Sequence, residues 1–425
     1  MRRRIWYSLY DRLLHKGALI GAFMKVKSAN GAPGVDGQSC KDFARQLDTN
    51  INDLLAELKG KAYQPSPVKR VEIDKPDGGV RKIGIPTVRD RVVQQALKNI
   101  LEPIFDPDFH PSSYGYRPNR SAHDAIAKAT MFMRKYHLKH VVDMDLSKCF
   151  DTLDHELIIQ AVREKVADRS ILNLIRMFLT SGVLTSGEHE PTTVGSPQGG
   201  VISPLLANIY LDKFDQYMKS RGHRITRYAD DIVIFKASRK GAENAKGVAT
   251  DYLENQLKLT VNQKKTHITS LWKGVPYLGV VICSNYTQVK PERKKAFKEK
   301  VRACTRRNTP VNLQKIIRDL NPILQGFANY FKVANVKGWL KEMMSWVRRR
   351  LRAIQMRHWK KPCKLHRRLR QLGYTGEFDY IRMSRWRNAA CQLSHWAMPN
   401  AWFDELRLYR MDKIETGVLP QIMQG

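Results

Sequence analysis

Two adjacent carboxylates, Asp230 and Asp231, interrupt an otherwise strand-forming segment, RITRYADDIVIF (Arg224–Phe235). Ile225, Ile232, Val233, Ile234 and Phe235 favour a strand. Asp disfavours one, and like charges side by side repel. A further carboxylate source lies at another strand end, in VVDMDLSKCFD (Val141–Asp151), where Asp143 and Asp145 alternate onto one face. Aspartates gathered at a sheet edge would repel one another unless a cation neutralised them. Mg²⁺ prefers carboxylate oxygens and leaves room for phosphates. Two such ions about 3.5–4 Å apart bracket an in-line displacement at phosphorus. The chemistry open to these residues is therefore metal-dependent transfer at phosphorus. The plainer reading of an Asp-Asp pair is an ordinary turn, in which Asp accepts local backbone hydrogen bonds.

The elements that must position them follow from hydrophobic period and turn residues. Residues 1 to about 30 read as helical, GAPGVDG (Gly31–Gly37) as a loop, and KDFARQLDTNINDLLAELKG as a helix with an apolar stripe at Phe43, Leu47, Ile51, Leu54, Leu55 and Leu58. VKRVEIDKPDGGVRKIGIP (Val68–Pro86) alternates, turns at PDGG and alternates again, which predicts a β-hairpin. DRVVQQALKNILEPIF reads as a buried helix, and KHVVDMDLSKCFDTLDHELI as a strand passing into a helix that Asp151 and Asp154 would cap. TVGSPQGGVISPLLANIYLDKFDQYM is a glycine-rich turn and a long helix; ENAKGVATDYLENQLKLTVNQKKT is a helix followed by a strand, and GVPYLGVVI a strand. Beyond about Lys290 strands vanish and basic helical periodicity takes over.

With 425 residues, two or three domains are expected. Lys and Arg number 74 against 40 Asp and Glu, a formal charge of +34, which makes nucleic acid the default partner. Between Lys341 and Arg370 the bias is 12 cations to one acid, Glu342, with Trp339, Trp346 and Trp359 in or beside the stretch. Basic residues meet phosphates and aromatics stack on bases, although Trp339, Trp346 and Phe331 equally suit a bundle core. No apolar run of 18 residues exists, so no membrane span or membrane partner is expected, and Asp11, Arg12, His15 and Lys16 break any signal-peptide core. Six scattered cysteines without a CxxC pair argue against a zinc knuckle or disulfide scaffold and fit a reducing cytosol.

YADD (Tyr228–Asp231) resembles the palm motif of reverse transcriptases, and DLSKCFD (Asp145–Asp151) their first aspartate motif. GSPQGGVISPLLANIYL (Gly195–Leu211), with QGxxxSP intact, resembles the nucleotide-binding segment of the group II intron enzymes. SYGYRPNRSAHDAI, LTVNQKKT and YLG match in the same order, so the chain resembles a group II intron-encoded reverse transcriptase/maturase, bacterial type, over roughly nine-tenths of its length. The resemblance implies an α+β right-hand polymerase. Fingers and palm with antiparallel sheet would occupy 1–288, an all-α thumb or maturase domain 289–361, and a basic helical DNA-binding-like region 362–425. It implies an RNA-directed DNA polymerase that copies intron RNA and also binds it to assist splicing and retrohoming. The implied partners are intron RNA, RNA template with DNA primer, target DNA and dNTPs, in a bacterial cytosol with nucleoid association when bound to DNA.

The resemblance also distributes roles. Asp145 and Asp230 would bridge two Mg²⁺ ions, with Mn²⁺ able to substitute, and Asp231 would support them. Phe150, at the family's spacing from Asp145, separates that residue from Asp143 and would be the sugar gate; its plain reading is a core aromatic. Lys75, Arg81, Gln198 and Gly199 would bind the nucleotide; the plain reading of Lys75 and Arg81 is a pair of exposed strand-edge cations. Lys265, beside Lys264, would protonate the leaving pyrophosphate. Tyr277, Leu278 and Gly279 look like the primer grip, Arg117 and Arg120 would touch the template backbone, and Arg348, Arg349, Arg350 and Arg352 would form the RNA-binding face of the thumb. Many relatives end in an endonuclease domain with paired cysteines and histidines, which this chain does not carry, so target DNA is expected to be cut or exposed by something else. Rival readings are a domesticated reverse transcriptase in defence or repair and a splicing cofactor that acts by binding alone. Ser203-Pro204 disfavours a diversity-generating enzyme, and the helical tail disfavours a retron enzyme.

Overall fold

The structure, a computed structural model, describes residues 4–74, 79–185, 188–190, 194–195 and 199–422. The chain divides into two compact units, one running to Thr269 and one comprising Ser270–Gln421. This break falls ahead of the expected limit at 288, because the last three strands pack with the helices that follow them.

In the first unit, the alternating segment forms the expected hairpin of β1 (Val68–Asp74) and β2 (Val80–Ile85), from Lys69↔Ile85 to Asp74↔Val80. The stripe from Phe43 to Leu58 is split between two helices, Cys40–Arg45 and Leu47–Lys59, the first opened by a Ser39/Asp42 capping box. β3 (His140–Met144) ends at the first aspartate motif. β4 (Val183–Thr185) runs parallel to β1 and antiparallel to β5 (Glu188–Glu190), giving a four-stranded sheet in the order β2-β1-β4-β5. β6 (Arg224–Tyr228) and β7 (Asp231–Lys236) form the aspartate hairpin, and with β3 and β8 (His267–Ser270) make a second sheet in the order β6-β7-β3-β8. Against it lies the long helix Ser203–Ser220, whose buried face includes Leu206, Tyr210 and Phe214. LTVNQKKT is not a strand: a single bridge, Leu146↔Val261, is followed by a turn, and the strand begins at His267.

The second unit opens with a three-stranded sheet, β9 (Val275–Tyr277), β10 (Val280–Ile282) and β11 (Thr287–Val289), in the order β11-β10-β9. GVPYLGVVI is thus a hairpin rather than one strand. Leu278 and Gly279 both take positive φ (44° and 83°), as a tight two-residue turn requires. Helices Pro291–Cys304, Leu313–Phe331, Lys337–Trp359 and Pro362–Gln371 follow. Trp339 joins Phe297 and Phe327 in an aromatic cluster (5.6 and 5.2 Å between centroids), and Phe331 packs on Phe327, so these rings form bundle core. No described helix is long and apolar enough to cross a membrane.

Leading to the SYGYRP segment, buried His110 accepts the Ser112 amide at Nδ1 (3.1 Å). Burial, with Lys219 nearby, pulls its pKa from 6.5 down to about 4. The unfolded chain therefore binds this proton more readily than the folded one, and stability falls as the pH drops from about 6.5 to about 4. The loss should reach roughly 3 kcal/mol. Thermal unfolding between pH 7 and 4.5 should show the midpoint dropping on acidification, and His110→Asn should flatten that dependence.

Candidate active site

The β6–β7 hairpin closes at Tyr228↔Asp231, so Ala229 and Asp230 are its two turn residues. Ala229 sits at φ 57°, a conformation that normally calls for glycine. On the other side of β7, β3 pairs antiparallel with Met144 opposite Ile232. The next position past β3 is Asp145, alongside Asp231. Asp145 is held there through its backbone: its amide donates to Thr266 Oγ1 (3.2 Å), and its carbonyl accepts the Asn262 amide (2.8 Å). Asp145, Asp230 and Asp231 thus gather at one end of one sheet, whereas Asp143 lies within β3 opposite Val233. Among the described residues no three acidic, His or Cys side chains form a ready-made metal cage. Mg²⁺ needs none, since it binds through one or two carboxylates with waters and substrate phosphates. The donor set fits that ion.

The hairpin rests on Arg227, a residue that sequence reasoning overlooked. It has no exposed surface and pairs with equally buried Asp215 of the long helix (2.6 Å). Its guanidinium also donates to Asn208 Oδ1 (2.9 Å), Ser113 Oγ (2.9 Å) and the Ala229 carbonyl inside the turn (2.9 Å). Burial alone would loosen its proton, but the Asp215 carboxylate more than reverses this and holds the pKa above its ordinary value. Asn208 in turn donates to the Gly115 carbonyl (2.8 Å). Gly115 lies so close to the hairpin that a Cβ there would stand 2.2 Å from the Ala229 nitrogen.

Around the carboxylates lie several residues expected to meet a nucleotide. Phe150 follows Asp145 on a short turn, Cys149–Asp151, and is 8% exposed. The ring of Tyr116 meets it edge-on, 6.5 Å away. Neighbouring Cys149 has its thiol pushed up to about 12 by burial and then by the charge of Asp230, so it stays neutral. Arg81 lies on β2 opposite Ile73, and its charge acts on Tyr116 together with those of Asp230 and Asp231. Gly199, at φ 122°, packs on the same strand, where a Cβ would meet the Gly84 carbonyl at 2.3 Å. The Val201 amide is fixed by Gln94 Oε1 (2.7 Å). Exposed Lys265 occupies the turn after Asn262, next to the segment that anchors Asp145. Lys75 and Gln198 lie outside the described residues. Asp154 caps the helix His155–Arg163 by accepting the Leu157 amide (3.0 Å), while Asp151 ends the turn before it.

Several arginines are spoken for. Arg117 is buried and donates to the Asp106 carboxylate (2.7 Å) and to the carbonyls of Asp106, His110 and Ser113, so it closes its own loop and does not face a template. Arg120 is exposed, donates to the Pro111 carbonyl (3.0 Å) and lies over the Tyr114 ring (5.5 Å). The four arginines expected to form the RNA face of the thumb are largely structural. Buried Arg348 faces Asp412 (3.7 Å), and Arg349 lies over the Trp386 ring (4.0 Å). Arg350 binds Thr305 through Nε (2.7 Å) and Nη2 (2.8 Å), and buried Arg352 binds the Met398 carbonyl (2.9 Å) and Asn400 (3.1 Å). Burial, then Arg348, brings Arg352 down to about 10. Four exposed cations of this unit cluster on the helix Pro291–Cys304, at Arg293, Lys295, Lys300 and Arg302, and others, such as Lys341, Arg357, Lys364 and Arg367, lie on the later helices. Tyr277 is buried at the end of β9, and the Leu278 carbonyl accepts from Tyr330 (2.9 Å).

Residues 73–282 match the family described as reverse transcriptase (RNA-dependent DNA polymerase), and residues 294–373 match the group II intron, maturase-specific domain. Protein YkfC of Escherichia coli (strain K12) is 36% identical over 291 residues, 59% of this chain and 76% of YkfC. The chain belongs to the group II intron reverse transcriptases. The group II intron-encoded protein LtrA of Lactococcus lactis subsp. cremoris is 28% identical over 342 residues, 65% of this chain and 56% of LtrA. A 91 kDa protein in the cob intron of Schizosaccharomyces pombe is 34% identical over 212 residues, 49% of this chain and 26% of that one. Members of the family are RNA-directed DNA polymerases that act on nucleic acid and generally use divalent metal ions.

Within this reverse transcriptase, removing Arg227 would strand the buried Asp215 charge. Arg227→Met should cost about 3–5 kcal/mol in denaturant unfolding. Adding Asp215→Leu should restore most of that stability but not nucleotide addition, because the anchor on the Ala229 carbonyl is still missing.

Proposed function

We propose that the chain copies intron RNA into cDNA by two-metal nucleotidyl transfer, and that it binds the same RNA to assist splicing and retrohoming. The observation that carries this reading is the convergence of Asp145, Asp230 and Asp231 at one sheet end, with Phe150 beside them. In this reading Asp145 and Asp230 hold two Mg²⁺ ions, for which Mn²⁺ can substitute, and Asp231 supports them. When bound, the ions supply an activated primer 3′-OH and a neutralised triphosphate. Arg81 and Lys75 clasp the phosphates, Arg as a bidentate donor and Lys as a point charge. Phe150 lies under C2′ and excludes a 2′-OH, while Gln198 and Gly199 bring side chain and backbone to the nucleotide. Lys265 delivers a proton to the leaving pyrophosphate.

Arg120 touches the template backbone, and Tyr277, Leu278 and Gly279 steady the primer. Residues 1–288 act as fingers and palm, 289–361 as thumb, and 362–425 as the part that meets target DNA, in a bacterial cytosol. The RNA face of the thumb includes the cationic side of Pro291–Cys304, since Arg348, Arg349, Arg350 and Arg352 are engaged within their own unit.

Primer extension on an RNA template with dNTPs and Mg²⁺ tests the reading. The natural chain should make long cDNA, whereas Asp230→Ala with Asp231→Ala should make none yet bind intron RNA unchanged. Persistent synthesis by the double variant would remove these carboxylates from the chemistry. Tight RNA binding without synthesis by the natural chain would leave a splicing cofactor. Replacing Arg293, Lys295, Lys300 and Arg302 with Gln should weaken intron RNA binding and flatten its dependence on log salt by roughly 0.7 per lost single-strand phosphate contact. Arg352→Gln should instead lower the unfolding midpoint with little change in that slope.

A further inference from the structure

Tyr116 is a large aromatic side chain on a constrained backbone beside the aspartate hairpin. It is 51% exposed, yet its backbone is held at φ 57°, a conformation bulky L-residues avoid. Its neighbours impose that shape. Gly115 is clamped between Asn208 and the Ala229 backbone, and Arg117 is locked to Asp106, His110 and Ser113. A residue serving only to pack would be better placed in a relaxed conformation and buried further. The loop imposes this strain, and the surroundings of the side chain indicate what it serves.

The side chain is directed to a particular place. Its ring stands at 82° to that of Phe150, so the two planes make a corner. The charges of Asp230, Arg81 and Asp231 act on its hydroxyl, which burial and then Asp230 hold protonated above its ordinary pKa. Neither the sequence motifs nor the roles proposed above assign it anything. We propose that Tyr116 contacts the incoming nucleotide, its ring and that of Phe150 forming a right-angled corner that receives the deoxyribose, so that sugar selection is shared between the two. The assignment rests on the polymerase reading and adds a second wall to the same pocket.

Single-nucleotide addition tests it, with kcat and KM measured for a dNTP and the matching rNTP on an RNA template. Glycine adopts φ 57° without strain, so Tyr116→Gly should fold at least as well as the natural chain, as thermal unfolding would show. It should lose about tenfold or more of the preference for dNTP, chiefly through a raised KM. Tyr116→Phe, which keeps the ring, should retain most of that preference. An active Tyr116→Gly enzyme with natural KM and preference would overturn the proposal. If Tyr116→Gly folds but adds nothing, restoration of the dNTP preference by Tyr116→Phe supports the corner, and equal loss in both overturns it. Should Tyr116→Gly not fold, the same ratio is read on Tyr116→Leu, with the same two outcomes. Failure of the natural chain to extend any primer would sink the polymerase reading itself, a result distinct from all of these.

Discussion

The aspartate-bearing end of the first unit depends on one buried ion pair. Arg227 and Asp215 join the aspartate hairpin to the long helix Ser203–Ser220, with neither side chain exposed to water. Taking two charges out of water is costly, and such pairs are weak sources of stability. What this pair contributes is position. A guanidinium has five donors in a rigid fork, and here they reach a carboxylate, an amide, a hydroxyl and a turn carbonyl at once. No apolar replacement could fix all four. Asp230 therefore sits on a turn whose backbone is anchored from below, and Asp145 on a strand end anchored from the side by Thr266 and Asn262.

Close backbone contacts extend the same logic outward. Gly115 meets Ala229, and Gly199 meets Gly84, so the SYGYRP loop and the loop before the long helix each touch a neighbouring strand without a side chain between. The groups proposed to act on one nucleotide come from segments far apart in the chain: β2, the loop before Ala122–Arg134, the turn after β3 and the hairpin. Direct backbone packing leaves fewer rotatable bonds between them than side-chain contacts would. Ala229 and Tyr116, both at positive φ, mark where this tight assembly stores its strain.

Much of this was legible in the sequence. The β1–β2 hairpin, the aspartates at the end of β3 and at a turn, and the change to helices after Val289 all follow from period and turn residues, whereas the β4–β5 hairpin was not read. The second-unit hairpin escaped because Leu278-Gly279 is not a turn signal by composition; Leu rarely accepts a φ of 44°. The arginines escaped for a different reason. A charge in a sequence says nothing about its partner, so a basic run reads as a nucleic-acid face even when its guanidiniums bond Thr305, Met398 and Asn400. A signal for Arg227 did exist. It falls two residues after Ile225 in RITRY, on the same face of the strand, and a charge in phase with a buried isoleucine needs a buried counter-charge.

The inward-turned arginines of Lys337–Trp359 divide the electrostatics of the protein into two kinds. Charges on the open side of Pro291–Cys304 act through water and are screened by salt, whereas those bonded within the helical unit are screened far less. Ionic strength therefore acts as a selective solvent for this protein. A concentrated salt wash loosens its hold on polyanions and leaves the helical unit intact, so co-purifying nucleic acid can be stripped away without unfolding the chain.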